Sequence, residues 1–250
     1  MTTRLFHISD VHFGVEDRSA LAAVAEAIKL EKPDALVCTG DLTQRAKHSE
    51  YAAAARWLSS HGIPVVVEPG NHDMPYYNPM ERFTDPYRRF RKLKDAVGTT
   101  FETDDLVLVS LKTTVRAQRR FPWSDGVVTR SALAETLGRL NRVKDRDRHV
   151  IITAHHPLLG PEGKPGNPTI GGDRAFTALA KAGADAIMTG HVHVPFDEER
   201  TRDGHSMRMI GAGTLSTRLR HGAPPSYRVI TAQRGGPITT ELRQLQTPLV

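Results

Sequence analysis

The chain has 250 residues, 39% hydrophobic and 25% charged, which is ordinary for a globular protein and excludes a fibrous or low-complexity one. This length predicts one sizeable core and a single domain over residues 1–250. The net charge of +6 favours anionic substrates and leaves nucleic acid open as a partner.

No apolar run approaches the roughly 20 residues that a helix needs to cross a bilayer, so no membrane span is expected. The first residues, Met1–Arg4, lead directly into a predicted strand without an apolar leader, which predicts a cytoplasmic location. The single cysteine, Cys38, lies within an apolar run, so an internal disulfide is excluded and a buried thiol is expected.

The first half of the chain predicts alternating strands and helices. Apolar runs indicate strands at 5–8, 35–39 and 63–67, and periodic apolar residues indicate helices at 18–31 and 49–60 between them. Asp17 is the predicted N-cap of the first helix. This βαβαβ order favours right-handed crossovers and a largely parallel half-sheet.

The second half is less regular. Behind a loop at 74–79, the Arg-rich stretch to residue 95 is predicted to be helical and exposed. Further elements are predicted from periodicity and from Gly and Pro content: two short strands in 101–111, a loop at 112–128, a helix at 131–143, strands at 150–153 and 186–189, a loop at 160–168, and a helix from a capping Asp173 to 182. Three C-terminal strands, at 208–212, 227–232 and 238–242, are predicted to form one antiparallel set, with a hairpin turn at 201–204.

Five short polar motifs follow the predicted strands, each at a carboxyl end, where an open α/β sheet offers a ligand site. They are Asp10-Val11-His12, Gly40-Asp41, Gly70-Asn71-His72-Asp73, His155-His156-Pro157 and Gly190-His191-Val192-His193. Each motif alone is a weak indication, because Asp-x-His and Gly-Asp pairs are common. The five in this order predict a metal site.

The residue types explain why metal is expected. Two neighbouring divalent ions need one bridging carboxylate, further oxygen ligands and several neutral imidazoles, and the motifs supply this mixture. Asp10 and His12 have the i, i+2 spacing that places side chains on one face of a strand. Glycine before Asp41 and before Asn71 allows a tight backbone turn into a crowded site.

With these motifs, residues 4–215 resemble the calcineurin-like metallophosphoesterases, and most closely the bacterial class III cyclic-nucleotide and glycerophosphodiester phosphodiesterases. The resemblance implies an α/β fold, a four-layer α/β/β/α sandwich of two mixed sheets. It also implies a first metal held by Asp10, His12, Asp41 and His193, and a second held by Asp41, Asn71, His155 and His191. The ions expected with such ligands are Mn, Fe, Zn or Co.

The resemblance further implies a catalytic His72, which contacts the phosphate and either stabilises the transition state or protonates the leaving oxygen. Asp73 could orient His72, or could instead form hydrogen bonds that cap its own loop. His156 is expected beside the metals or beside the substrate. Arg116 could bind an anionic substrate, although plain solvent exposure is the favoured alternative.

The function that this implies is hydrolysis of a small phosphodiester by a metal-bridging hydroxide. A phosphomonoesterase or a small nuclease on the same core is the alternative, and a non-enzymatic interaction scaffold is a distant third. Substrate choice is expected in the segments 74–94, 112–128 and 160–172. A homodimer is possible, because the relatives are often dimers or larger.

Overall fold

The computed structural model describes residues 2–143, 145, 147–160 and 169–245. Within this part of the chain, the strands are β1 (Thr3–Ile8), β2 (Ala35–Cys38), β3 (Val65–Val67), β4 (Leu106–Ser110), β5 (His149–Thr153), β6 (Ala186–Thr189), β7 (Phe196–Arg202), β8 (His205–Gly211), β9 (Ser226–Ala232) and β10 (Ile238–Gln244). The helices are α1 (Arg18–Glu31), α2 (His48–Ser59), α3 (Pro79–Thr84), α4 (Arg88–Val97), α5 (Arg130–Leu140) and α6 (Gly172–Lys181).

The strands form two five-stranded sheets, in the orders β10-β9-β1-β2-β3 and β4-β5-β6-β8-β7. In the first sheet β1, β2 and β3 are parallel, and β9 and β10 run antiparallel beside them. In the second sheet β4, β5, β6 and β8 are parallel, and only the edge strand β7 is antiparallel. Both sheets are therefore mixed, as predicted.

Three apolar clusters account for the layering. The first joins one face of the first sheet to α1, α2 and α4, and the second joins the other sheet to α5 and α6. The third lies between the sheets and is built from small and branched residues, among them Val37, Ile151 and Ile230. The predicted α/β/β/α sandwich is thus confirmed.

Helix α1 spans the predicted residues, and Asp17 caps it by accepting hydrogen bonds from the backbone N–H groups of Ser19 and Ala20. The predicted cap of α6 is wrong. Gly171, with φ 76°, occupies the N-cap position, and Asp173 lies inside the first turn. A carboxylate there stabilises the helix through its dipole and not as a cap.

The prediction that the C-terminal strands form a single antiparallel set is also wrong, because these strands divide between the two sheets. β9 and β10 extend the first sheet, whereas β8 inserts beside β6 in the second and pairs with it in parallel. The predicted hairpin turn is present between β7 and β8, where Asp203 and Gly204 both have positive φ. Alternating apolar residues indicate a strand, but they do not indicate its neighbour.

Two smaller predictions also need correction. Residues 101–111 contain one strand, β4, where two were predicted, and Glu102 makes only an isolated bridge to Val107. The Arg-rich stretch is helical but not simply exposed, since Phe90 and Leu93 are buried. The predicted loop at 160–168 lies outside the described residues after Gly160. No helix in the described part of the chain is long and apolar enough to cross a membrane.

Candidate metal centre

The five motifs meet at one edge of the sandwich. Asp10 follows β1, Asp41 follows β2, Asn71 follows β3, and His155 and His191 follow β5 and β6. Backbone hydrogen bonds tie the loops together, from Asp10 N to Gly40 O (3.0 Å), from His12 N to Asp41 O (2.9 Å) and from Gly190 N to His155 O (2.9 Å). Parallel strands of both sheets thereby bring their carboxyl ends to a common site.

Five of the seven predicted metal ligands have a left-handed backbone. The φ angles are 53° at Asp10, 50° at His12, 51° at Asp41, 70° at His191 and 60° at His193. Asp10 and His12 therefore lie beyond β1, and their common direction does not come from the strand spacing that the sequence suggested. Non-glycine residues in this region cost roughly 1–3 kcal/mol each, and they cluster at functional sites.

Two glycines make this close approach possible. Gly40 has φ 97°, and a Cβ there would lie 2.5 Å from Nδ1 of His155. A Cβ on Gly70 would lie 2.1 Å from Oδ1 of Asp41. Both contacts are shorter than any side chain tolerates, so the glycines are required by the packing of the predicted ligands.

The first group of potential ligands is Asp10, His12 and His193, all buried. Nε2 of His193 lies 3.2 Å from Oδ1 of Asp10 and 3.2 Å from Nε2 of His12. The other ring nitrogen of each histidine faces a backbone carbonyl, which is Arg218 O at 2.7 Å for His193 and Thr43 O at 3.4 Å for His12. A carbonyl only accepts, so each Nδ1 carries the proton and each Nε2 lone pair points into the group.

The second group is built around His155. Its Nδ1 donates to Thr39 O at 2.7 Å, and its Nε2 lies 3.4 Å from Oδ2 of Asp41 and 3.2 Å from Oδ1 of Asn71. The His191 ring packs edge-on against His155, with centroids 5.2 Å apart. Asp41 lies between the groups, because its Oδ2 is also 3.8 Å from Nε2 of His12.

We call these seven residues the donor cluster: Asp10, His12, Asp41, Asn71, His155, His191 and His193. Its geometry fits metal ions. Ligand atoms of Asp10, His12 and His193 all lie within 4.8 Å of one another, as do those of Asp10, Asp41 and His155. Oδ1 of Asp10 is buried without a hydrogen-bond partner. A buried carboxylate oxygen facing two imidazole lone pairs calls for a cation to compensate it.

The pKa values fit a ligand set that binds metal in competition with protons. Burial lowers the pKa of His12 to about 4, and burial together with the nearby His155 lowers that of His191 to about 3. Burial would also lower the pKa of His155, but the carboxylate of Asp41 outweighs it and raises this pKa to about 9. Burial alone would raise the pKa of Asp10, yet His193 and His155 hold it below its usual value. Metal ligands must be deprotonated to bind, so a proton on His155 competes with metal.

His72 lies beside the donor cluster, with its ring edge-on to that of His12 at a centroid distance of 4.8 Å. Its backbone N–H donates to Oδ1 of Asp41 at 2.8 Å, and its Nδ1 lies 2.8 Å from Gln44 O. Its Nε2 lies 3.0 Å from Nη1 of Arg218. Both ring nitrogens are therefore engaged outside the cluster, in a position where the ring borders the open cleft described below.

Asp73 does not orient His72. Its carboxylate accepts hydrogen bonds from the backbone N–H groups of Leu42 (3.2 Å), Thr43 (2.8 Å) and Gly70 (2.9 Å). Burial and the nearby Asp41 raise its pKa to about 7. The predicted pairing is wrong, and the alternative of a loop-capping carboxylate is correct. Asp73 ties the Asp41 loop to the Asn71 loop.

The predicted substrate contacts also need correction. His156 is 1% exposed, its Nδ1 lies 2.8 Å from Oγ1 of Thr113, and its Nε2 donates to Ser124 O at 2.9 Å. It anchors the loop at 112–128, and its ring centroid lies 4.6 Å from that of His155 and 4.4 Å from that of His191. His156 therefore lies beside the predicted metal ligands, which is one of the two places expected for it. Arg116 is exposed and donates from Nη1 to Phe83 O at 2.5 Å. The carbonyl of Arg116 accepts a hydrogen bond from Nε of Arg82 at 2.6 Å. Arg116 therefore holds the side chain of Arg82, which lines the cleft described below.

An open cleft of about 310 Å³ lies against Asn71 and His72. We call its outer wall the aromatic rim, formed by Tyr76, Tyr77, Phe121, Pro122 and Trp123. The lining is completed by the buried Arg82 and by Gln44, Arg45, Met74 and Ser124. The sequence placed substrate choice in these segments but did not identify the residues, because single aromatics in loops carry no periodicity.

Residues 3–195 match the family model described as calcineurin-like phosphoesterase. A protein of Pseudoalteromonas sp. (strain SM9913), named "probable cyclic nucleotide phosphodiesterase", is 28% identical to this chain over 209 residues. The match covers 78% of this chain and 73% of that protein. A protein of Arcobacter nitrofigilis, named "probable glycerophosphodiester phosphodiesterase GpdQ", is 26% identical over 166 residues, covering 65% of this chain and 57% of its own.

Among solved structures, a dimetal phosphatase from Danio rerio superposes with a TM-score of 0.64 at 12% identity, over 95% of this chain and 98% of its own. At that identity the likeness concerns the fold alone.

Proposed function

Because the chain belongs to the calcineurin-like phosphoesterase family, we propose that it hydrolyses small phosphodiesters with two divalent metal ions held by the donor cluster. The family and the hydrolase class predicted from the five motifs are confirmed by the matches of this chain to that family model and to proteins named as phosphodiesterases. The observation that carries the proposal is the buried Oδ1 of Asp10, which has no hydrogen-bond partner and faces Nε2 of His193 at 3.2 Å.

Asp10, His12, Asp41 and His193 would hold the first ion. Asp41, Asn71, His155 and His191 would hold the second, with the Asp41 carboxylate shared. Mixed imidazole, amide and carboxylate ligands suit Mn, Fe, Co or Zn more than Ca or Mg. We therefore propose that the native ions come from this group of four metals.

When bound, such a metal pair lowers the pKa of water toward neutrality and polarises a phosphoryl oxygen. The chain itself supplies the orientation of that site. Carbonyls of Thr39, Thr43 and Arg218 fix the ring planes of three histidines, and such partners preserve both geometry and basicity in metal sites. His72 lies at the border between cluster and cleft, beside the place that a phosphoryl group would occupy.

A diester is favoured over a monoester by the cleft. A phosphodiester carries a second ester arm, and the cleft of about 310 Å³ offers space for one arm beside His72. Its aromatic wall suits a planar group such as a nucleobase, since aromatic side chains stack on base faces. Between the two classes named for the relatives, this wall favours a cyclic nucleotide over a glycerol ester.

The test is hydrolysis of bis(4-nitrophenyl) phosphate and of 4-nitrophenyl phosphate by the Mn²⁺-loaded protein, with a chelator control. The proposal predicts faster turnover of the diester and loss of activity on chelation. Faster turnover of the monoester would identify a phosphatase. Turnover of neither ester would require trials with oligonucleotides, and activity there would identify a nuclease.

Two further predictions belong to the proposal. We propose that the protein is located in the cytoplasm and that it assembles as a homodimer. Light scattering of the purified protein measures the second directly, and a mass near 27.6 kDa, that of one chain, would contradict it.

A further inference from the structure

Arg218 reaches the candidate site although it lies in none of the five motifs and beyond residues 3–195, which match the family model. It belongs to the segment that connects β8 to β9. This segment is firmly attached to the site. Oγ1 of Thr214 donates to the carbonyl of Asp10 at 2.7 Å, and Thr217 N donates to Val15 O at 3.0 Å. Arg218 is therefore held at a fixed distance from the donor cluster.

Arg218 contacts two functional residues at once. Its carbonyl accepts the Nδ1–H of His193 at 2.7 Å. Its guanidinium donates from Nη1 to Nε2 of His72 at 3.0 Å and to Oε1 of Gln44 at 3.3 Å. One residue thus connects a proposed metal ligand with the proposed catalytic histidine.

The hydrogen-bond directions assign the roles within this contact. Nδ1 of His72 faces Gln44 O at 2.8 Å, and a carbonyl only accepts, so Nδ1 carries the proton. Nε2 must then accept from Arg218, which has no lone pair to offer. Within the described residues, the hydrogen bonds of this guanidinium use Nη1 alone, which leaves Nε and Nη2 for a ligand.

We propose that Arg218 binds a non-bridging phosphoryl oxygen of the substrate, and that His72 and Gln44 hold its guanidinium in position. This inference rests on the proposed phosphoesterase function. A guanidinium matches the geometry of phosphate oxygens and stays charged at all working pH values. Arg218 is then the catalytic residue of the pair, and His72 is a positioning residue for it.

The first experiment compares R218A with wild type and with R56A, a charge-matched control on the exposed side of α2. With bis(4-nitrophenyl) phosphate and Mn²⁺, kcat of R218A should fall about a hundredfold or more, while bound metal, measured by mass spectrometry, stays at the wild-type level. R218K should recover only part of the loss, because ammonium lacks the planar fork. A wild-type kcat in R218A, or a loss of metal from it, would overturn the inference.

A double-mutant cycle separates the proposed roles. If His72 acts through Arg218, the variant R218A/H72A should be no slower than R218A alone, because removing one partner already removes the shared effect. H72Q keeps a side-chain acceptor and should exceed H72A in kcat. Multiplicative losses in the double variant would show that His72 acts independently, and would overturn its positioning role.

A binding measurement keeps this inference distinct from the proposed function. Calorimetry of inorganic phosphate with the Mn²⁺-loaded protein should show affinity about tenfold or more weaker in R218A than in wild type. If wild type turns over no diester but R218A still loses phosphate affinity, the proposed function fails and the inference stands. Equal phosphate affinity in both proteins would overturn the inference whatever the turnover.

Discussion

The donor cluster and the aromatic rim adjoin one another but are built in opposite ways. Asp10, His12, Asp41 and His193 are 2% exposed or less, and they are fixed by left-handed backbone and by carbonyl partners. In the rim, Tyr76 and Tyr77 are each 70% exposed and Phe121 is 86% exposed. From this difference we propose that the cluster sets the chemistry and tolerates little change, whereas the rim selects the ester arm.

The largest expected effect comes from Asp41→Asn. An amide lowers the charge of the shared ligand and loses one acceptor oxygen, so we expect kcat to fall by about a hundred- to a thousandfold with the thermal transition retained. Activity on bis(4-nitrophenyl) phosphate and metal content are the measurements. The exposed Asp104→Asn is the control. Normal turnover by the Asp41→Asn variant would contradict the proposal that Asp41 is shared by two metal ions.

A second prediction tests the backbone of the cluster. In Gly70→Ala the new Cβ would meet Oδ1 of Asp41 at 2.1 Å and its backbone N at 2.2 Å, so we expect metal content and activity to be lost together. Gly138→Ala is the matched control, because a Cβ there meets nothing within 4 Å. That helical change should stabilise the protein by about 0.5–1 kcal/mol. Full metal content in Gly70→Ala would show that the cluster is less tightly packed than its contacts indicate.

These two regions also differ in how well the sequence predicts them. The cluster residues stand next to strand ends in contiguous motifs, so their meeting follows from parallel topology. The rim residues and Arg218 come from three separate loops, which only tertiary folding brings together. The roles of Asp73 and His156 were likewise open, because both depend on which neighbour accepts or donates a hydrogen bond. Pairing of β8 with β6 could not be predicted, since strand patterning does not specify a partner.

A third prediction concerns the rim. Trp123→Ala should raise KM for an aryl diester about tenfold through lost stacking, with kcat nearly unchanged and with little effect on a glycerol diester. Steady-state kinetics on both substrates is the measurement. Leu30→Ala, which removes a 71% exposed side chain on α1, is the control. Equal effects of Trp123→Ala on both esters would contradict the proposed selection of an aromatic arm.

The smallest expected effect lies beneath the cluster, where Glu68 joins the two sheets. It accepts from Oγ of Ser110 at 2.7 Å and from Oγ1 of Thr153 at 2.6 Å, and burial raises its pKa. The native state therefore keeps this proton where the unfolded chain has lost it, and the free energy of unfolding falls as pH rises through the native pKa.

The side chain of the Glu68→Gln variant cannot ionise, so its free energy of unfolding should not fall over this pH range. We expect its Tm at neutral pH to rise by about 2–4 °C, and the gain to vanish below the pKa of the unfolded glutamate. Calorimetry across pH, with exposed Glu26→Gln as control, measures this. Activity should be unchanged, because Glu68 supports the site without contacting it. A gain in Tm that persisted below the pKa of the unfolded glutamate would contradict this explanation.

The central claim is that the donor cluster holds two metal ions that share Asp41. The most direct measurement is an anomalous difference map from crystals grown with Mn²⁺. The account predicts two peaks about 3.5–4 Å apart, one beside Asp10, His12 and His193 and the other beside Asn71, His155 and His191. A single peak, or peaks outside the cluster, would contradict it.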